Sequence, residues 1–523
     1  MLDTLRKRTT LVFLIIAVVL VIPSLLGLIH LGLPITDDGS WMTIRFSAFY
    51  EALRSGQFPV RFLMRLNNGF GYPVADFLYP LYMYIGVPIN IAGISFVNTV
   101  KIIFFFCMIF LSIFSFLWLR KFFDNLSSLI GATFYSLSPY HLFDLYKRGS
   151  LGEVLSLSIL PFILWQLERK SLMWSAVGIA ALITAHNTLA VLFLVLIISY
   201  FALDIYIAKD RAKLARYYFV ISVLGFGLSA FFWLPAFLDL SQTVFNKTQV
   251  SNWSAHFSSL QLLGLSTVTV LISVLVFILA KKIDYKKHRL TLLFFTLAIV
   301  SAFFSSELSV FLWKYLPVSF IQFPFRLLSI TLICGAFLTA AVINTVTNKY
   351  KVIVSVFLLM IIFVSAVPYI VPKEYQYFDD SFYSTNQDTT TVKNEYMPKW
   401  VKKIPSMMAE SRVENLKGKE KINITKVTPN ETAFNVNLSK QGKVKVNTIY
   451  FPGWVAFVNG QKTNIMYDNQ QGVIMLSLNK GQNNVRVKFE ETNIRTVADI
   501  ISLISFIVLI LLSLKIKNKK INL

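Results

Sequence analysis

Residues Ile35–Pro80 read ITDDGSWMTIRFSAFYEALRSGQFPVRFLMRLNNGFGYPVADFLYP and follow the first apolar segment of the chain. Two adjacent carboxylates, Asp37 and Asp38, open this stretch, and a segment with helical periodicity comes directly after them. Arg45 falls among the apolar positions of that predicted helix, so we expect its guanidinium to face a cavity. Acidic, aromatic and guanidinium groups beside an apolar segment predict a polar reaction centre at the face of a membrane-embedded scaffold.

The composition around this stretch is that of a polytopic membrane protein. Of 523 residues, 55% are hydrophobic and only 15% are charged, whereas a soluble domain carries about 25% charged residues. The net charge of +23 comes from basic residues in short runs between apolar segments, as the positive-inside rule expects. We therefore expect the lipid bilayer, and no nucleic acid, as a partner. Cys107 and Cys334 lie inside apolar runs and predict neither a disulfide framework nor a metal site.

Apolar segments predict an α-helical protein with about 12–13 transmembrane helices, because about 20 apolar residues cross a bilayer. The segment 77–97 is interrupted by proline and glycine, and the basic runs all lie on one side if it does not cross. The N-terminus is then cytoplasmic. The thirteen segments are 9–30, 77–97, 99–119, 126–139, 153–167, 172–185, 188–207, 218–238, 259–280, 290–305, 326–346, 352–371 and 497–515.

Three domains follow from this pattern. Residues 1–371 form a transmembrane domain with an outer loop at 31–80, and residues 496–523 form a last transmembrane helix with a basic cytoplasmic tail. Residues 372–495 alternate polar and apolar positions from Lys421 onward, which predicts a mainly β domain outside the membrane, folded as a β-sandwich. Asn459–Gly460 predicts a tight hairpin turn, because both central residues of a type I′ turn need a positive φ.

Asp37 and Asp38 are the first candidates for a site. One explanation is structural: aspartate caps helix N-termini, and we expect one of the two to cap the following helix. Two adjacent acids exceed what a cap requires, and like charges in contact repel each other. The pair is therefore also a candidate for catalysis, or for binding a divalent cation, although the sequence establishes no cofactor.

Further polar groups interrupt apolar sequence near the predicted outer face. Arg148 and Glu153 flank a Gly-Ser turn, and an arginine there could hold phosphate in a bidentate manner or form a simple loop ion pair. His186 and Asn187 separate two apolar segments, where ionisable residues usually face a cavity. A buried, hydrogen-bonded histidine is the structural alternative.

Gln322 and Arg326 belong to the run QFPFR at the outer start of a predicted helix. A helix N-terminus disfavours a cation, so an anion near Arg326 is expected, either a phosphate or a loop carboxylate such as Asp239. An interfacial anchor is the alternative. The residues expected to bind substrate or phosphate are Arg45, Arg148, Glu153, His186, Asn187, Gln322 and Arg326.

These motifs together resemble a known group. The runs DDGSWMTIR, GFGYPVADFLYPLYMYIG, YKRGSLGEV, AHN, FFWLPAF and QFPFR resemble bacterial polytopic proteins labelled "membrane protein 6-pyruvoyl-tetrahydropterin synthase-related". The tail YFPGWVAFVNGQ resembles the end of YfhO-type membrane proteins, and both groups are similar to the GT-C glycosyltransferases. A soluble pterin synthase would need a zinc-binding histidine cluster, which five scattered histidines do not supply.

The resemblance implies a GT-C-like enzyme that takes a sugar from a polyprenyl-phosphate donor and passes it to a cell-envelope glycopolymer outside the membrane. It implies that Asp38 is the loop acid and that Arg148, Glu153, His186 and Arg326 line the outer cavity. Relatives often have histidine at the positions of Asp37 and Met42, so which aspartate is the base stays open. A transporter or flippase of lipid-linked saccharides, or a non-catalytic envelope scaffold, is the alternative function. The Lys, Asn, Ile and Phe bias is typical of AT-rich bacterial genomes and places the protein in a bacterial cell membrane.

Overall fold

The computed structural model describes residues 2–248, 253–284, 287–315, 319–416 and 420–521. Residues 285–286, within the basic run 281–289, lie outside the described residues. Helices dominate the chain up to residue 385 and return after residue 492. The α-helices are Leu2–Val21, Leu26–Ile29, Gly39–Arg54, Val74–Phe77, Leu81–Ile91, Phe96–Leu119, Asn125–Ser136, Pro139–Phe143, Leu151–Glu168, Leu172–Ala185, Asn187–Ile207, Arg211–Leu228, Ala230–Asp239, Leu260–Leu263, Leu265–Leu279, Arg289–Ser305, Val310–Trp313, Leu328–Thr345, Asn348–Ala366, Asp380–Thr385 and Asn493–Ile521.

Seven helices in the described residues are long and apolar enough to cross a membrane. Two further helix pairs, bent by 68° and 82° at a short break, raise the number to nine if each pair is one span. Three shorter apolar helices of 10–17 residues accompany them. The seven single spans are Arg8–Ile29, Phe96–Leu119, Leu151–Glu168, Asn187–Ile207, Pro324–Thr345, Asn348–Tyr369 and Asn493–Lys515.

All thirteen apolar segments of the sequence contain a helix, which confirms the predicted helical membrane architecture. Of the described helices, however, seven to nine are long and apolar enough to cross, against the 12–13 crossings predicted. The segment 77–97 contains the helix Leu81–Ile91, which is 11 residues long. At 1.5 Å per residue it extends only about 17 Å, well short of the hydrocarbon core of about 30 Å. This length agrees with the prediction that the segment does not cross by itself.

Several loops that the sequence analysis places outside the membrane meet at one end of the helices. Strand β1 (Leu33–Pro34) pairs in antiparallel fashion with β2 (Tyr375–Gln376). The backbone N–H of Ile35 donates to Glu374 O at 2.9 Å. The first loop is thereby joined to the segment that follows the last of the consecutive helices, more than three hundred residues later.

The described residues 413–489 form two antiparallel sheets, as the alternating sequence predicts. One sheet has the order β4-β5-β10-β7-β8 and the other β3-β6-β9. Asn459 and Gly460 join β7 to β8 with φ values of 51° and 81°, which confirms the predicted hairpin turn. The strands are β3 (Val413–Asn415), β4 (Asn423–Thr428), β5 (Glu431–Leu438), β6 (Gly442–Ile449), β7 (Trp454–Val458), β8 (Gln461–Thr463), β9 (Val473–Leu478) and β10 (Gly481–Phe489).

A buried ionic cluster lies where the sheets, the first loop and the last helix meet. The fully buried guanidinium of Arg495 lies 3.3 Å from Asp76 Oδ2 and 3.0 Å from Asp239 Oδ2. Arg61 lies 3.6 Å from Asp76 and 3.2 Å from Asp499. A buried charge is costly without a partner, so these pairs fix the last helix against the loop that contains Asp76.

Candidate active site

The backbone around Asp38 is held by the loop that precedes the helix Leu151–Glu168. The N–H groups of Asp37 and Asp38 donate to the carbonyls of Lys147 and Arg148 at 3.0 and 2.8 Å. Gly149 makes this close approach possible, because it has a φ of 63° and a Cβ there would lie 2.1 Å from the Thr36 hydroxyl. Two loops that are distant in sequence are therefore fixed side by side.

Asp38 occupies the N-cap position of the helix Gly39–Arg54, but its side chain makes no capping hydrogen bond to the described backbone of that helix. Thr36 Oγ1 accepts from Gly39 N at 3.0 Å instead. The expectation that an aspartate caps this helix is therefore wrong, because a hydroxyl one turn earlier already satisfies the N–H group. The carboxylate of Asp38 is left to face Arg148, with Oδ2 3.5 Å from Nη2.

The two aspartates have different surroundings although they are adjacent. The side chain of Asp37 is 51% exposed and pairs with Lys147 Nζ at 2.9 Å. The side chain of Asp38 is 28% exposed and lines a cavity. Burial raises the pKa of the Asp38 carboxyl above its ordinary value, and the nearby Arg148 opposes this rise. Of the pair, Asp38 is therefore the residue whose side chain lines the cavity.

Glu153 is the centre of a buried ionic cluster behind the cavity wall. Its carboxylate is fully buried and contacts the guanidinium of Arg148. Its Oε1 atom also lies 2.9 Å from Arg326 Nη2, and its Oε2 atom accepts from the Tyr140 hydroxyl at 3.1 Å. The loop ion pair proposed for Arg148 and Glu153 is thus present, with a second arginine added. One carboxylate orients two guanidinium groups.

Arg326 has further contacts on its own loop. Its Nη1 donates to Gln322 Oε1 at 2.8 Å and to Ile321 O at 3.0 Å, and its guanidinium lies 4.8 Å from the Phe323 ring centre. The expected loop carboxylate is therefore Glu153, and the suggestion of Asp239 is wrong. Asp239 is bound to Arg495 in the other cluster, a pairing that the sequence alone does not reveal.

His186 lies between two helices and faces Glu153. Its Nδ1 accepts from Leu189 N at 3.3 Å, which leaves the proton of a neutral imidazole on Nε2, 3.7 Å from Glu153 Oε1. Burial lowers the pKa of His186 to about 3, so the ring is neutral at physiological pH. Asn187, beside it, donates to Phe77 O at 2.9 Å. Both residues line the cavity.

Arg45 extends from the helix Gly39–Arg54 into the same cavity, as its position in the apolar pattern predicts. It is buried, and its Nη2 donates to Thr390 O at 2.6 Å. Its Nε donates to Thr390 Oγ1 at 3.3 Å. Arg45 therefore connects the first loop to residues near 390, which the sequence analysis did not associate with the site.

The cavity between these groups has a volume of about 690 Å³, within the range of small-molecule sites. Of the nine residues that the sequence analysis named, seven line it: Asp38, Arg45, Arg148, His186, Asn187, Gln322 and Arg326. Glu153 lies behind the wall and Asp37 at the surface. No sequence pattern indicated a further part of the lining, which is formed by Phe245, Thr390, Thr391, Val392, Lys393, Glu395 and Tyr396.

Among the arginines and carboxylates that line the cavity, the arginines Arg45, Arg148 and Arg326 outnumber Asp38 and Glu395. Glu153 can neutralise only one of the two arginines that it contacts. Asp144 also lies 3.4 Å from Arg148, and burial, together with the charge of Glu153, raises the pKa of Asp144 well above its ordinary value. Arg148, Arg326 and Arg45 therefore provide a site for an anion such as a phosphate.

A divalent cation does not fit the two aspartates. Their carboxylates pair with different cations, Asp37 with Lys147 and Asp38 with Arg148. Within the described part of the chain, no group of three or more His, Cys, Asp or Glu residues could hold a metal ion.

Comparison with solved structures finds similarity to the arabinofuranosyltransferase AftD from Mycobacteria and to one of its mutants. Sequence identity is 14% in both cases, with TM-scores of 0.43 and 0.44. The similar regions cover 70% of this chain but only 27% and 28% of those chains. No curated protein matches the sequence.

A protein-family comparison is more specific. The model of a family described as "6-pyruvoyl-tetrahydropterin synthase related domain; membrane protein" matches residues 76–372, which is more than half of the chain. The matched region contains Arg148, Glu153, His186 and Arg326, and it confirms the family resemblance of the motifs that lie within it. The chain belongs to the 6-pyruvoyl-tetrahydropterin synthase related family of membrane proteins.

Proposed function

We propose that this protein is a glycosyltransferase of the GT-C type. It moves a sugar from a polyprenyl-phosphate donor to a cell-envelope glycopolymer on the outer side of a bacterial membrane. The observation that carries the proposal is the pairing, at one cavity, of Asp38 with the arginines Arg148 and Arg326. A carboxylate that can take a proton faces groups that can hold a phosphate, which is the set of groups that this reaction needs.

Asp38 acts as the general base. It removes the proton from an acceptor hydroxyl while the hydroxyl oxygen attacks the anomeric carbon of the donor sugar. A general base is most effective when its pKa is near the working pH, and burial moves the pKa of Asp38 in that direction. Asp37 is exposed and ion-paired, so we assign it no proton transfer.

The leaving group is the polyprenyl phosphate. As the new C–O bond forms, the bond from the anomeric carbon to the phosphate oxygen breaks, and its electron pair leaves with the phosphate. Arg148 and Arg326 are held in place by Glu153 and stabilise this charge without rearrangement during the reaction. The apolar residues Leu78, Val191 and Phe320 at the cavity suit the first isoprene units of the donor.

Transfer assays with purified protein in lipid nanodiscs test the proposal. A radiolabelled sugar on polyprenyl phosphate is supplied together with cell-envelope polymer, and wild-type protein is compared with Asp38→Asn. We expect transfer with wild type only. A transporter would move the donor across vesicles without making product, and a scaffold would bind polymer without turnover. Either result, with no transfer by wild type, would refute the enzyme.

A further inference from the structure

One short segment, residues 388–396, contributes six residues to the lining of the cavity, and we call this segment the strap. It follows the helix Asp380–Thr385 and precedes the β-sheets. Backbone hydrogen bonds fix both of its ends. Asn68 N donates to Gln387 O at 3.0 Å before the strap, and Val244 N donates to Met397 O at 2.9 Å after it. Between these anchors the strap passes over the cavity that contains Asp38.

The strap keeps an unusual backbone over the cavity. Thr390 and Asn394 have φ values of 61° and 52°, a region that residues other than glycine rarely occupy. Arg45 Nη2 binds the carbonyl of Thr390 at 2.6 Å, and the Tyr72 hydroxyl lies 3.0 Å from Thr391 Oγ1. Such backbone conformations persist where the surroundings over-determine them, and they cluster at ligand sites.

Glu395 adds a carboxylate to the cavity lining. A carboxylate accepts hydrogen bonds, whereas the arginines donate them. The Oε1 atom of Glu395 accepts from Lys393 N at 3.3 Å. Its Oε2 atom is shielded from solvent and finds no hydrogen-bond donor among the described residues. A buried acceptor without a donor needs an explanation. A phosphate would be repelled here, whereas a hydroxyl group brought by a ligand would supply the missing donor.

Tyr396, next to Glu395, is part of an aromatic stack. Its ring lies 5.0 Å from the Phe77 ring at an angle of 6°, and 5.6 Å from the Phe245 ring at an angle of 20°. Tyr396 and Phe245 both line the cavity. Stacked rings are a rigid apolar surface. Beside a hydroxyl acceptor, they match a sugar ring, which has C–H groups on its faces and hydroxyls on its edge.

We propose that Glu395, with Tyr396 and Phe245, forms a subsite for a neutral, hydroxyl-bearing sugar ring in the same cavity as the phosphate-binding arginines. The inference rests on the proposed function and adds its specificity. A site that hydrogen-bonds a substrate hydroxyl rejects analogues without it, because its own polar group would stay unpaired. Glu395 is thus the group that selects the sugar, whether this sugar belongs to the donor or to the acceptor.

Saturation-transfer NMR tests the subsite without requiring turnover. The probes are methyl glycosides of glucose, galactose, N-acetylglucosamine and arabinose, added to the full-length protein in nanodiscs. We expect saturation of at least one glycoside by wild type, and a loss of about tenfold in affinity for Glu395→Gln and Glu395→Ala, the cost of one hydrogen bond to a charged group. Glu410→Gln, at an exposed position beyond the strap, is the matched control and should bind as wild type does.

Two results would overturn the subsite: no saturation of any probe by wild type, or equal saturation by wild type and both folded Glu395 variants. Asp38→Asn separates the two proposals, because it should lose transfer and keep glycoside binding. In transfer assays, the KM values of Glu395→Gln show which substrate carries the sugar. An increase for the donor alone assigns the sugar to the donor, and an increase for the polymer alone assigns it to the acceptor. Unchanged KM values for Glu395→Gln would refute the subsite while the transferase proposal stands.

Discussion

Arg326 Nη2 lies 2.9 Å from Glu153 Oε1, although the two residues are 173 positions apart. Glu153 also contacts Arg148, only five positions earlier. One buried carboxylate therefore sets the distance between two guanidinium groups that belong to different loops. Because both arginines line the cavity, the geometry of its cationic wall depends on a residue that does not itself line it.

Glu153→Gln should destabilise the protein strongly. It leaves two buried arginines with too little negative charge, and breaking a buried ion pair costs about 3–5 kcal/mol. Thermal unfolding in detergent or nanodiscs measures the loss. Glu51→Gln is the control, because Glu51 pairs with Arg65 but is 47% exposed, and a surface pair contributes less than about 1 kcal/mol. Equal melting temperatures for the two variants would contradict the central role of Glu153.

Asp38→Asn should reduce transfer by about 100-fold or more, because the amide is nearly isosteric but cannot accept the proton. Asp37→Asn should lower transfer by no more than about threefold, since its side chain is outside the cavity and its ion pair is a surface pair. Initial rates with labelled donor measure both. If Asp37→Asn is the inactive variant, the assignment of the base is reversed.

Arg148→Lys and Arg326→Lys should each lower turnover by about 10–100-fold, because lysine keeps the charge but loses the planar fork that holds a phosphate. The expected change is in kcat, since the charge to be stabilised develops during the reaction. Arg54→Lys, at an exposed position of the helix that contains Arg45, is the control. Normal kcat in both cavity variants, with intact folding, would remove the arginines from the reaction.

The pH dependence of transfer should reflect the raised pKa of Asp38. The base must be ionised, so kcat/KM should rise with pH and level off above a midpoint higher than that of an ordinary aspartate. Arg148→Met should move the midpoint upward, because Arg148 lowers this pKa. Lys147→Met should leave it unchanged, since Lys147 pairs with Asp37. If Arg148→Met has the same midpoint as wild type, Asp38 is not the titrating group.

The ionisation of Asp38 should increase transfer as pH rises, but it should decrease the stability of the folded protein. A carboxyl whose pKa is higher in the folded state binds its proton more tightly when folded. Its ionisation therefore lowers the free energy of unfolding as pH rises from the ordinary carboxyl pKa to the raised one. Asp38→Asn should remove this loss and melt no lower than wild type near pH 7. A lower melting temperature for Asp38→Asn would show that the carboxylate stabilises the fold.

The orientation in the membrane can be tested with single cysteines, because both native cysteines are buried. We expect Lys462→Cys, exposed in β8, to react with an impermeant maleimide on intact cells. Asp284→Cys, in the basic loop, should react only after permeabilisation. The reverse pattern would place the β-sheets in the cytoplasm and refute an extracytoplasmic site.

The sequence predicts the helical scaffold and β-sheets because hydrophobic periodicity is a local property. It also identifies individual site residues wherever a polar group interrupts an apolar pattern, as Arg45 and His186 do. The sequence does not predict which arginine forms an ion pair with which carboxylate. Asp239 is a candidate partner of Arg326 from the sequence, but only the tertiary structure directs Glu153 to Arg326 and Asp239 to Arg495.

The position of the strap is a second feature that the sequence does not predict. Residues 388–396 read DTTTVKNEY, a polar stretch without periodicity, so no pattern distinguishes it from an ordinary linker. Its position over the cavity depends on contacts with Arg45, Tyr72 and Val244, which lie far away in sequence. The signal that could have found it is the pair Glu395–Tyr396, an acid beside an aromatic residue, which is too common to interpret alone.

The pairing of Arg495 with Asp76 also sets an order for biosynthesis. The ribosome makes Asp76 419 residues before Arg495. Until the last helix has left the translocation machinery, Asp76 lacks this partner, and the loop Arg61–Phe77 cannot settle against it. A nascent chain that stops in the β-sheets would thus have all the residues of the cavity. It would lack the ion pair between Arg495 and Asp76 that holds the first loop. The loop Arg61–Phe77 should therefore be more sensitive to proteases in truncated copies than in finished ones.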